Sequence, residues 1–96
     1  MEIGSYVIVR TYTAGVFAGT LVRRRKQEVE LANARRLWYW AGAASLSQLA
    51  TTGTSNPTGC KFPAPVSSLV VLEAIEILAV SPAGKASIEA VPTWTQ

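Results

Sequence analysis

The stretch Asn33-Ala34-Arg35-Arg36-Leu37-Trp38-Tyr39-Trp40-Ala41-Gly42 concentrates the chemistry of this chain. It holds two adjacent arginines and three of the eight aromatic side chains. A guanidinium grips phosphate through paired N–H groups, and an indole or phenol ring stacks on a base. Asn33 adds an amide able to hydrogen-bond a base or sugar. In an extended segment, side-chain parity puts Arg36, Trp38 and Trp40 on one face. Arg35, Leu37, Tyr39 and Ala41 share the other. Three environments suit the first face. Two tryptophans on one strand face can fill a core with an arginine snorkelling at its edge. Trp, Tyr and Arg are also the anchors of subunit interfaces. The same set can form a ligand site, and a site between subunits would combine these readings.

Other chemistries are excluded or unsupported. The chain has no histidine and no aspartate, and a single cysteine, Cys60. Ser-His-Asp and Cys-His nucleophile systems therefore cannot be built within it. Cys, His and carboxylates do not fall at metal-ligand spacing, so no metal site and no cofactor is expected. Glu28 and Glu30 read as alternation along a strand; Glu73 and Glu76 are the other carboxylate pair. A Gly-rich phosphate loop is missing, because Gly15 and Gly19 lack a strand-to-helix context. The expected function is binding rather than catalysis.

Nine Lys and Arg against six Glu give a net charge of +3. Arg23-Arg24-Arg25-Lys26 form one basic run and Arg35-Arg36 another. The first run reads most simply as a solvated turn. The sequence is 49% hydrophobic and 16% charged, below the roughly 25% charge of typical domains, which points to a homo-oligomer. Cys60 without a partner fits a reducing compartment. The start, Met1 to Ser5, has neither a basic nor an apolar leader region, so a cytoplasmic setting is expected. The run Leu69 to Val80 is broken by Glu73 and Glu76 and is too short for a membrane span.

The elements that must position these residues are short and mostly extended. Ninety-six residues suffice for one domain. Tyr6–Tyr12 and Val16–Arg23 read as strands around a Thr13-Ala14-Gly15 turn, with Gly19 marking a bulge or bend. Arg24–Gln27 reads as the next turn. Glu28–Leu31 alternates as a half-buried strand, Asn33 interrupts it, and Arg35–Trp40 is a second extended piece. Gly42–Ala50 suggests a short helix, and a long loop at about 51–66 is pinned by Cys60, Lys61 and Phe62. Ser68–Leu72 and Ala74–Val80 read as strands with a kink at Glu73. Ser81-Pro82 starts a helix that reaches about Ala90. The expected fold is mainly β with two short helices (α+β): a small bent meander or an open SH3- or Sm-like barrel.

Three blocks, Val7 to Gly19, Asn33 to Leu46 and Leu72 to Ile77, resemble a family of short proteins encoded by tailed bacteriophages and prophages. The turn Arg24-Arg25-Lys26 departs from that family's tendency toward a glycine there. The resemblance implies a phage origin and the host cytoplasm, and it assigns no site residues. By analogy, small phage accessory proteins include homo-oligomers that sequester nucleotide signals of bacterial immunity. The functional expectation is therefore a non-enzymatic sponge for a small phosphate-bearing ligand. Its candidate residues are Asn33, Arg35, Arg36, Trp38, Tyr39 and Trp40. The alternatives are a small-barrel nucleic-acid-binding module, and a protein-binding inhibitor or structural phage protein anchored by Trp38, Trp40 and Trp94. No membrane partner is expected.

Overall fold

A hairpin starts the fold, and local chemistry fixes its turn. The computed structural model describes residues 1–96. Strand β1 (Tyr6–Thr11) pairs antiparallel with β2 (Val16–Arg25). Gly15 takes φ +101°, and the Thr11 hydroxyl both donates to Gly15 O and accepts from Ala14 N. β2 is longer than its sequence pattern suggests. Arg24 and Arg25 continue the strand, and the turn to β3 (Glu28–Arg36) is only Lys26-Gln27, with Lys26 at φ +56°. The strands hold together there through Arg23, whose guanidinium bridges Glu28 and Glu30 at 3.3 and 3.2 Å.

β3 is one strand rather than two pieces. Asn33 sits in it at φ +49°, a left-handed conformation that asparagine tolerates. The register of β2 on β3 shifts between Ala18 and Thr20, beside this residue. Gly19 fills the crowded side: a Cβ there would lie 3.0 Å from Ala32 O and 3.1 Å from Ala34 Cα. The paired irregularities bend both strands. β3 ends at Arg36. Leu37 to Gly42 continues outside the named strands, tied by Leu37 N donating to Val16 O, by a Tyr39–Lys61 bridge, and by Thr54 and Ser55, which donate to Ala41 O and Gly42 O.

β4 (Val66–Val71) and β5 (Ala74–Ala79) lie on opposite edges, in the order β4-β3-β2-β1-β5. The kink expected at Glu73 is the crossing between these edges. Tyr12 N donates to Glu73 O, and Ala74 N donates to Gln27 O, across the seam. The result is a mainly β, open, strongly bent five-stranded antiparallel sheet with two short helices.

The central strands are buried on both faces. Val7, Val9, Phe17, Leu21 and Leu31 pack inside the bend. Ile8, Ala18, Leu37, Phe62 and Ile88 pack outside it, beneath the helices. Two small cores in one chain bury much of the apolar sequence, while Tyr12, Trp38, Val66, Val70, Leu72 and Ile75 stay exposed. Helix α1 (Leu46–Thr51) starts later than Gly42, because Ser45 caps it and Gly42 turns at φ +76°. The 51–66 segment is folded onto the body. Asn56 caps a single turn at Pro57–Gly59, Cys60 and Phe62 are buried, and Phe62 bridges Thr93. Helix α2 (Pro82–Ala90) has the expected Ser81 cap and first-turn proline. Gly84 is the point where α2 crosses α1, against the carbonyl of Ala50. No helix is long and apolar enough to cross a membrane.

Candidate ligand-binding face

The end of β3 divides the six candidate residues among three surroundings. Asn33 and Arg35 point to the α2 side. Arg36, Trp38 and Trp40 line a cleft beside the β1–β2 turn. Tyr39 faces Lys61.

Arg35 is not presented to a ligand. It is 5% exposed. Its Nε donates to Pro63 O, its Nη1 to Ile88 O, and its Nη2 to both Phe62 O and Val91 O, all at 2.7–3.0 Å. Ile88 lies in the last turn of α2 and Val91 is its C-cap. The guanidinium thus caps a helix C-terminus, where unpaired carbonyls and the macrodipole favour a cation. Burial lowers its pKa, with Tyr6 and Cys60 acting the other way. Sequence reading assigned Arg35 to phosphate; its side chain lies on the α2 side of β3, which makes it a clamp on that helix.

Beside that clamp lies a polar cavity of about 430 Å³, lined among others by Tyr6, Thr20, Asn33, Lys85 and Glu89. The Tyr6 phenol is pushed up to about 12, first by burial, then by the charge of Glu89, with Arg35 opposing. Lys85 lies 5.4 Å above the Tyr6 ring. Asn33 therefore lines a different cavity from Arg36, Trp38 and Trp40.

Arg36 is exposed and preorganised. Its guanidinium stacks 4.4 Å over the Phe17 ring, and its Nη1 donates to Ala14 O at 2.7 Å. Phe17 is the cross-strand neighbour of Arg36. These contacts hold the head in place and leave the Nε–Nη2 edge without a protein partner. Trp38 is 62% exposed, while Trp40 is half-buried against the outer core. With Gly15 and Val16 they enclose a cleft of about 190 Å³. Arg36 also borders two adjoining clefts, of about 290 and 130 Å³, which share Phe17 and Leu69. Gly15 permits the turn through its φ of +101°, and even a Cβ there would only touch Arg36 Nη1, at 3.5 Å. Arg36, Trp38 and Trp40 line one cleft, but Leu37 lines it too and Trp40 packs against the same outer core as Leu37, so strict alternation does not continue past the end of β3.

Tyr39 and Trp94 flank Lys61, whose ammonium lies 5.9 and 5.6 Å from their rings. Trp94 is held to the body by its N–H donating to Phe62 O. The Arg23–Lys26 run lies at the far end of β2 and is not part of this face. There the hydrogen bonds that Arg23 donates to Glu30 and Glu28 raise its pKa, and Arg24 Nε donates to Lys26 O. Sequence reading missed Phe17, Ala14 and Lys61 as neighbours of the segment. Only the hairpin register, set by Gly19 and Asn33, places Phe17 beneath Arg36.

Searches of curated proteins and of solved structures each found no match. A family model described as Domain of unknown function (DUF6948) matches residues 4–88. Since that match spans most of the sequence, the chain belongs to this family.

Proposed function

We propose that this chain is a non-enzymatic binding protein that captures a small phosphate-bearing ligand, a nucleotide, on the Arg36–Trp38–Trp40 face. One observation carries the reading: an exposed indole stands beside an exposed, preorganised guanidinium at the meeting point of three clefts. The free Nε–Nη2 edge of Arg36 takes phosphate in a bidentate manner. Trp38 stacks on the base, a contact worth roughly 1–3 kcal/mol. Trp40 forms the wall and Val16 the floor. Tight binding without turnover is the whole mechanism, so removal of ligand scales with protein concentration.

The resemblance to short phage proteins supports a biological setting for this chemistry. In that setting the protein is a phage accessory factor in the host cytoplasm, and its ligand is a nucleotide signal of host immunity. Isothermal titration against a panel of cyclic and linear nucleotides tests the binding claim. Heat with at least one of them, abolished in Trp38→Ala, is expected. No heat with any nucleotide at micromolar protein would sink it.

A second reading has its own observation. The Tyr39–Lys61–Trp94 cluster is a further cation–aromatic surface from the same segment, and a single nucleic-acid strand could run over both. That reading requires affinity falling steeply with salt through counterion release. A gel shift with single-stranded RNA and DNA at two salt concentrations separates it from the first.

A further inference from the structure

β4 is an edge strand with none of the usual protection. One side pairs with β3. Of the backbone bonds outside the ladders, none involves Val66–Val71, and no side chain bonds to them. Edge strands normally carry a lysine, a proline, a bulge or a covering helix that blocks pairing with another chain. Val-Ser-Ser-Leu-Val-Val has none of the first three, and neither helix lies over it. The opposite edge differs: Glu76 of β5 is ion-paired with Arg10, and the start of β5 is held by the β2–β3 turn.

We infer that β4 is a homodimer interface, in which two copies of this chain join their sheets through antiparallel β4–β4 pairing. The side-chain pattern of β4 selects a second copy as the occupant. Val66, Ser67, Ser68 and Val70 are all exposed, the valines 47% and 45%. A two-fold axis at Ser68 sets Ser68 against Ser68 of the second copy, and Val66 against its Val70. Exposed valines then cover each other, and the uncharged strand meets no like charge. A slip by one residue would set Val66 against Leu69 or Val71 and Val70 against Pro65 or Ser67, so the exposed valines would no longer meet. The strand is thus complementary to itself, which an isologous dimer requires.

The second copy also completes the ligand face. Val66 and Leu69 wall one cleft beside Arg36, and Leu69 to Leu72 wall another. Each is smaller than the roughly 300–1,000 Å³ of pockets that enclose a small molecule. A strand laid along β4 raises their open side. This coupling rests on the function proposed above; the pairing itself does not.

Charge exchange at the axis tests the pairing. Light scattering after gel filtration and native mass spectrometry should give a dimer for the wild-type chain. Ser68→Lys and Ser68→Glu should each be monomeric, with a wild-type circular-dichroism spectrum confirming the fold. Mixing the two variants should restore a dimer of mixed mass. A monomeric wild-type chain at micromolar concentration would overturn the inference, as would an undiminished dimer in Ser68→Lys. A dimer that binds no nucleotide would remove the proposed function and leave the interface standing.

Discussion

Arg35 and Arg36 are neighbours in sequence and opposites in use. Strand alternation sends one through the sheet to cap α2 and leaves the other over Phe17 at the surface. Their substitutions should separate stability from binding. Arg35→Met should cost about 3 kcal/mol, because several buried carbonyls lose their donor together; chemical denaturation measures it. Arg36→Ala should leave the denaturation midpoint nearly unchanged and weaken nucleotide binding by at least about tenfold, the loss of one charge-assisted contact. Tyr6 gives a pH signature at the same scale. Its phenol titrates near 12 in the folded chain against an ordinary 10. Its contribution to stability is complete below pH 10, falls as the unfolded chain ionises first, and is fully lost above about 12. Tyr6→Phe should therefore show a shallower loss of stability between pH 10 and 12 than the wild-type chain.

At the scale of elements, glycines and caps decide where strands bend and helices meet. Gly84 lies within a helix, where alanine is ordinarily better by about 1 kcal/mol. Here a Cβ would lie 2.8 Å from the Ala50 carbonyl carbon and closer still to its oxygen. Gly84→Ala should therefore destabilise, by about 1–3 kcal/mol as in other overpacked sites. A thermal melt reads the sign. The same elements mark what a single sequence exposes. The Ser81-Pro82 start, the Gly19 bend and the Glu73 kink are local signals, and each falls where residue chemistry alone would put it. The span of β2 was hidden because Arg24 and Arg25 look like turn residues until Glu28 and Glu30 face the strand. The role of Arg35 was hidden because its partners come from residues 62, 63, 88 and 91, far along the chain. Parity grouped Arg36, Trp38 and Trp40, which share a cleft with Leu37 beyond the end of β3, whereas the Phe17 support beneath Arg36 depends on register.

At the scale of the whole molecule, one bent sheet with a core on each side leaves β4 and β5 as open edges. The Arg36–Trp38–Trp40 face, proposed above as the ligand site, is bordered by the open β4 strand. If these two features act together, dimer and ligand stabilise each other, and the melting temperature should rise with nucleotide concentration. The most direct measurement is native mass spectrometry of the protein mixed with a panel of cyclic and linear nucleotides. The predicted result is a stoichiometric mass increment for at least one nucleotide, absent in Arg36→Ala and in Trp38→Ala. Bare protein mass with every member of the panel, or an increment that survives both substitutions, would contradict the account.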